Sequence, residues 1–430
     1  MHKERAAPKG EAATIGASSA VGVGSASLVS AVVGYVVLLL AARILDQESN
    51  AVFLTFWSFL FLLFGILGGI QTETTRAANQ GRTAAPNPRN PRMGYVALSI
   101  GTGAAVILGL SSPWWGPLIF GNYSGLVVVV CIAAAVYSGH VALMGSLAGQ
   151  QRWGTYSKLI LSESVLRLAG VGLVVLVGAS VAGLAWGAAV GAAAWLFFVL
   201  LSKSSRQSFL RRADIGTGAY YKTVGYACLA GAANAALVVG YPILLRVSTP
   251  NEEYLASAAL LMALSLTRAP LLIPLNAYQG VAITHFVSRR TRGIRAIFPI
   301  LGAVLGVSVL GAALAWLIGP FLMTALLGPS YEMNGMVLAA LTFDAGLLGL
   351  LTITGALAIA SGRHKAFSAG WVAATAISLG LLWLPLDIQT KTVVSLAAGP
   401  LVGVLLHSLF IARSVGHNKE ANGLTVSEDN

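Results

Sequence analysis

The sequence predicts an all-α, polytopic membrane protein of twelve transmembrane helices, arranged as two six-helix lobes. Three observations carry that reading. Charged residues make up 10% of the 430 positions and hydrophobic ones 56%, whereas a soluble domain carries about 25% charged residues. Apolar runs long enough to cross the roughly 30 Å hydrocarbon layer recur along the chain. In lipid such runs must be helices, because their backbone groups have no water to bond. Finally, segments of the first half reappear in the second about 206 to 211 positions later.

The first run, 17–42, follows Lys3, Arg5 and Lys9 in a tail spanning 1–16 and so imitates a signal peptide. At about 26 residues it exceeds a signal h-region and reads as a retained helix. Runs 52–75, 93–111, 124–149, 155–178 and 180–201 complete an N-lobe at 17–201. The last of these spaces Gly183, Gly187 and Gly191 four apart, a helix-packing seam. A polar linker, 202–220, leads to runs 221–246, 254–288, 296–317, 334–360, 366–386 and 392–413, which form a C-lobe at 221–413. The hydrophilic tail 414–430 reads as disordered.

Loops alternate in charge. Basic residues fall in the N-terminal tail, the even-numbered loops and the C-terminal tail, which together hold 22 of the 27 Lys and Arg. By the positive-inside rule both termini face the cytoplasm, as in a multi-pass protein of the bacterial inner membrane. The net charge of +12 is that bias, so nucleic acid is not an expected partner. Cys131 and Cys228 fall inside helices, and neither suits an exported disulfide or a metal site. No cofactor and no metal are expected. Arg43 and Arg246, at external helix ends, read as side chains snorkelling to head groups.

The duplication is visible in the residues. GYVVLLLAARILDQESNAVFL (34–54) aligns with GYPILLRVSTPNEEYLASAAL (240–260), each a helix end, an acidic turn and the next helix. PLIFGNYSGLVVVV (117–130) aligns with MTALLGPSYEMNGMVLAA (323–340), and GSLAGQQR (145–152) with GALAIASGR (355–363). Both halves start on the same side, which makes this a parallel repeat about the membrane normal.

The stretch AARILDQESNAVFLTFWSFLFLLFGILGGIQTETTR (41–76), with the LIFGNY and LLGPSY turns, resembles the oligosaccharide and polysaccharide flippases of the MOP (multidrug/oligosaccharidyl-lipid/polysaccharide) exporter superfamily. The family's glycine stands as Asp46 here, and its later glycine as Asn50 or Ala51. Twelve helices differ from the fourteen usual in the lipid II branch, and 17–42 lacks the acid usual in the drug-antiporter first helix. The resemblance implies two bundles rocking about a central cationic cavity, with a polyprenyl-linked sugar as substrate and membrane lipids around it. Polysaccharide-assembly enzymes would be its partners.

Four polar residues mark helix eight. Ser265, Arg268, Asn276 and Gln279 fall within an arc of about 80° on an otherwise apolar helix. An arginine at mid-bilayer costs about 3 kcal/mol on insertion scales, so Arg268 must face protein, water or a counter-charge. Two readings stand: a cavity wall where its planar fork holds an anionic head group, or an internal ion pair. Asn234 and Tyr241 share a face of helix seven, where hydrogen bonding between helices is the default reading and binding of the substrate the alternative. On helix five Glu163 and Arg167 are spaced i, i+4, either a structural pair or one that exchanges partners. Asp344, about ten residues into helix ten, is a candidate for H+ or Na+ coupling or a fixed partner for Arg268. Glu73, near the cytoplasmic end of helix two, is a further candidate for a charge pair or ion coupling, and otherwise reads as solvated at the interface.

Enzyme classes fit less well. GTGAYYKT (216–223) imitates a phosphate-binding loop, but Tyr221 takes the glycine position before Lys222. A membrane glycosyltransferase or ligase would need carboxylates or histidines on a substantial external loop, and the external loops read as short. An ion-coupled drug or metabolite antiporter of the same superfamily remains the alternative transport reading.

Overall fold

The computed structural model describes residues 17–81, 87–268, 298–360 and 363–424. Among these, nine helices are long and apolar enough to cross a membrane, and a bent helix pair makes a tenth. The first half comprises α1 (Ala17–Ile44), α2 (Gln47–Gln80), α3 (Met93–Phe120), α4 (Gly125–Gly149), α5 (Trp153–Val177) and α6 (Val181–Leu201). After α7 (Lys203–Phe209) the second half holds α8 (Thr217–Val238), α9 (Tyr241–Val247), α10 (Asn251–Leu255) and α11 (Ala258–Arg268). It continues as α12 (Phe298–Leu327), α13 (Gly335–Ala360), α14 (His364–Leu381) and α15 (Ile388–Leu424).

Local chemistry sets the helix ends. Asp46 caps α2 by accepting from the Ser49 N–H at 2.9 Å, which holds its carboxyl below the ordinary value. Ser180 caps α6 through the Gly183 N–H at 3.1 Å. Gly121 (φ +55°) follows the end of α3 and Gly328 (φ +115°) the end of α12, conformations that a side chain disfavours. Asp387 receives the Gln389 and Thr390 N–H groups at the start of α15.

Two expectations change here. The run 221–246 is not one helix: α8 and α9 meet at 72° across Val239 and Gly240. Pro242 has no N–H, so the Val238 carbonyl loses its helical donor and the chain turns. Asn234 and Tyr241 therefore do not share one continuous helix face. The linker 202–220 is ordered, because Ser202 caps α7, Phe209 is buried and Arg92 bridges to Arg212. Second, α15 runs to Leu424, past the expected start of a disordered tail at 414. The stretch HNKEAN that continues it holds no proline and several adequate helix formers. The second part of run 254–288 lies outside the described residues.

Glycines let the helices approach. A Cβ on Gly101 of α3 would stand 2.4 Å from Ser138 Cβ of α4, and one on Gly346 of α13 as close to Ser308 Cβ of α12. The same crossing is thus built twice, with glycine and serine exchanged. The seam Gly183, Gly187 and Gly191 packs α6 onto α5, and Gly187 lies against the backbone of Gly170 and Val171. Between halves, Gly69 of α2 lies against the Cys228 backbone of α8, and Gly65 against Ala235. α2 therefore runs along the boundary between the halves.

Contacts define the two ends of the bundle. At the end bearing the turns near 46, 121, 248 and 330, termed the distal end, Asn50 donates to the Tyr331 hydroxyl at 2.8 Å. At the opposite, proximal end, Arg76 joins Glu73 and Asp214, and Arg152 reaches Ser204 and Ser208.

Candidate functional site

A cavity of about 380 Å³ lies between the halves, in the size range of small-molecule sites. Its wall comes from α1, α2 and α5 on one side and from the α8–α9 bend and α11 on the other. Ser27, Ser30 and Ser58 contribute hydroxyls, and Trp57 and Phe61 contribute rings. The Tyr35 hydroxyl crosses the boundary to the Ser265 carbonyl at 3.3 Å.

Two guanidinium groups line this cavity, one from each half. Arg268, 9% exposed, is the last described residue of α11. Its Nη1 donates to the Val238 carbonyl at 2.7 Å and to that of Leu237 at 3.4 Å. The first of these is the carbonyl that Pro242 strips of its helical donor, so the bend creates the acceptor that holds the arginine. Its guanidinium lies 5.4 Å from the Tyr241 ring centroid, and the Tyr241 hydroxyl is tied to Ser395 and Thr392. Among the described residues, Arg268 Nη2 is buried without a hydrogen-bond partner.

Arg167, 4% exposed, comes from α5. Its Nη2 pairs with Glu163, and its guanidinium lies over Trp57 and Phe61 at 5.7 and 5.0 Å. Gly191 makes room for this pair, because a Cβ there would stand 2.7 Å from the Glu163 carbonyl oxygen. Arg167 Nε is likewise buried without a partner among the described residues. Each cation thus rests on an aromatic face, worth about 0.5–2 kcal/mol. With Glu163 neutralising one guanidinium, the wall retains one net positive charge.

Ser265 and Arg268 line the cavity as placed by the helix-eight arc; Asn276 and Gln279 lie outside the described residues. Tyr241 lies beneath Arg268, and Asn234 is half-buried on α8 away from the lining. Asp344 is 4% exposed on α13, with Oδ2 unpartnered, and among the described residues no ion pair joins it to Arg268. Glu73 is in a charge pair with Arg76, and only its expected solvation requires correction. It is buried rather than solvated, accepting from Arg76 Nε at 2.9 Å and from Thr223 at 2.9 Å, while Arg76 reaches Asp214 at 2.8 Å. Folding the linker against α2 covers it. Arg43 and Arg246 also differ from snorkelling residues, since both bond helix-end carbonyls of the other half. The lone His407 is held by Thr354 and the Phe367 carbonyl, and His140 stacks on Tyr137.

The sequence reading missed Tyr35, Trp57, Phe61 and Arg167 as cavity residues. Trp57 and Phe61 stand i, i+4 on α2, a signal for a shared face, but nothing in the sequence turns that face toward α5.

No family model matches the chain. The uncharacterized protein Rv1510 of Mycobacterium tuberculosis is 37% identical over 412 residues, covering 95% of this chain and 94% of its own. The uncharacterized protein Mb3654 of Mycobacterium bovis is 35% identical over 418 residues, covering 96% of this chain and 97% of its own. The chain belongs to the family of these mycobacterial proteins. Solved structures place the family's fold. An inward-facing multidrug resistance MATE family transporter of the MOP superfamily superposes at TM-score 0.68 with 14% identity, over 91% of this chain and 95% of that one. Its outward-facing counterpart gives 0.65, over 94% and 96%. A Pyrococcus furiosus MOP superfamily transporter, described by the reversed polarity of its binding pocket, gives 0.64 at 14% identity, over 92% and 95%. The family therefore has the MOP transporter fold and is a multi-pass membrane protein.

Proposed function

We propose that the chain is a membrane transporter of the alternating-access type. It is a flippase that moves a polyprenyl-phosphate- or pyrophosphate-linked saccharide from the inner to the outer leaflet for cell-envelope polysaccharide assembly. One observation carries this reading: two buried guanidiniums from opposite halves, each with an N–H that has no partner among the described residues, line one cavity. A buried, unbonded donor is costly, and guanidinium is matched to phosphate oxygens. An anionic head group in the cavity would satisfy both donors, with the serine hydroxyls beside the sugar and the prenyl chain left in lipid. In this proposal the halves are six-helix lobes, both termini are cytoplasmic and the membrane is the bacterial inner membrane. A gradient of H+ or Na+, or the membrane potential at about 2.3 kcal/mol per charge per 100 mV, supplies the drive. Polysaccharide-assembly enzymes receive the product.

A second reading, an ion-coupled drug or metabolite antiporter, is favoured by the buried, unpartnered carboxylate oxygen of Asp344. The two are separated by leaflet distribution of lipid-linked sugar in cells carrying Arg268→Ala or Asp344→Asn at matched expression. The flippase reading expects Arg268→Ala to leave the sugar in the inner leaflet and Arg268→Lys to restore it in part. Normal distribution in Arg268→Ala, with drug efflux lost in Asp344→Asn, would establish the antiporter instead.

A further inference from the structure

We infer that Arg43 and Arg246 form a pair of reciprocal latches that seal the distal end of the boundary between the halves and gate access to the cavity from that side. Each is the basic residue in the last turn of its helix, α1 and α9 respectively. Arg43 Nε donates to the Leu326 carbonyl at 2.6 Å, and its Nη2 donates to that of Ala325. Both acceptors lie at the C-terminus of α12, in the second half. Arg246 Nε donates in the opposite direction, to the Ile119 carbonyl at 3.4 Å, at the C-terminus of α3 in the first half.

The acceptors are repeat counterparts. Ile119 and Leu326 stand 207 positions apart, as do Gly121 and Gly328, the positive-φ glycines that follow them. The last carbonyls of a helix have no internal donor and carry the negative end of its dipole. A guanidinium is the natural cap for such an end, and here both caps come from the opposite half. Arg246 also donates through Nη2 to Asn251 Oδ1 at 2.6 Å and lies over the Tyr254 ring within its own half, so Asn251 and Tyr254 aim its Nε across the boundary.

Neighbouring bonds share that geometry. Gln47 donates to the Ser330 carbonyl and Asn50 to Tyr331, while the hydroxyls of Thr55 and Tyr254 meet at 2.7 Å. A recess of about 400 Å³ beside Arg246, lined by Ile119, Tyr123 and Asp46 among others, marks the seam at this end. Opening toward the distal side requires all of these bonds to separate together, and the arginines would exchange helix-end carbonyls for water. The inference rests on alternating access alone and not on the identity of the cargo.

The test is thiol accessibility, which needs no substrate. In a background with Cys131→Ala and Cys228→Ala, Ser58→Cys places a reporter on the cavity wall. A membrane-impermeant methanethiosulfonate is applied to right-side-out and to inverted vesicles. Arg43→Gln combined with Arg246→Gln should raise labelling from the distal side at least about fivefold, leaving proximal labelling unchanged. A misfolded variant would gain labelling from both sides and is recognised by that. Conversely, Gln47→Cys with Ser330→Cys, bridged by a bifunctional methanethiosulfonate before the reporter is exposed to label, should hold distal labelling at or below the level of the background with both arginines intact. Unchanged distal labelling in the double arginine variant, or full distal labelling of the bridged protein, would overturn the latch. Neither result depends on whether Arg268 binds a phosphate.

Discussion

Arg268 and Arg167 occupy similar surroundings by different means. Arg268 is held by two carbonyls, one of which a proline frees, and by the face of Tyr241; Arg167 is held by Glu163 and by Trp57 and Phe61. Removing one member of a buried pair costs about 3–5 kcal/mol because the remaining charge is stranded. Removing both members costs much less. Glu163→Gln is therefore expected to lower the thermal unfolding midpoint in detergent sharply, and Glu163→Gln with Arg167→Met to recover much of that loss. If the double variant unfolds no higher than the single one, Arg167 draws its stability from the aromatic faces and not from Glu163.

Helix pairs in this molecule are set by where glycine permits backbone contact. α5 and α6 illustrate it, since a Cβ on Gly187 would stand 2.8 Å from Gly170 C and Val171 N, whereas one on Gly172 of the same pair would meet nothing within 4 Å. Gly187→Ala must push the helices apart, an overpacking cost of about 1–3 kcal/mol. It would also shift the Glu163–Arg167 pair, which Gly191 accommodates one turn further on. Gly172→Ala should change stability by no more than about 0.5 kcal/mol, or raise it slightly. Equal unfolding midpoints for the two variants would mean that the α5–α6 seam is not a close contact.

At the scale of the molecule, α2 runs along the boundary and is tied to the second half near both its ends. Thr223 and Tyr220 bond Glu73 and Thr74 proximally, and Tyr254 and Tyr331 bond Thr55 and Asn50 distally. A helix so placed must change partners if the halves rock. The distribution of Lys and Arg further predicts which end faces the cytoplasm. A cysteine replacing Glu48 at the distal end should react with an impermeant thiol reagent in intact cells, while one replacing Lys222 should react only in inverted vesicles. Labelling of both from the same side would reject the orientation.

Much of this was legible in the chain alone. Hydropathy marked the nine long apolar helices found among the described residues, because lipid forces each apolar run to satisfy its own backbone. The i, i+4 spacing of Glu163 and Arg167 predicted their pairing, because that contact is local. Arg268 and Ser265 were singled out by a helical arc, and both line the cavity. What escaped was everything that depends on contacts distant in sequence. The bend at Val239–Gly240, with Pro242 beyond it, ends one helix and frees a carbonyl, but only packing brings Arg268, thirty residues on, to that carbonyl. Glu73 looked solvated until the linker folded over it, and Arg43 and Arg246 looked like lipid-facing ends until the other half's helix termini met them. Local sequence set the helices and their charges, since those follow from backbone satisfaction and periodicity. The tertiary structure alone decided which charge meets which partner, since that depends on two halves closing on each other.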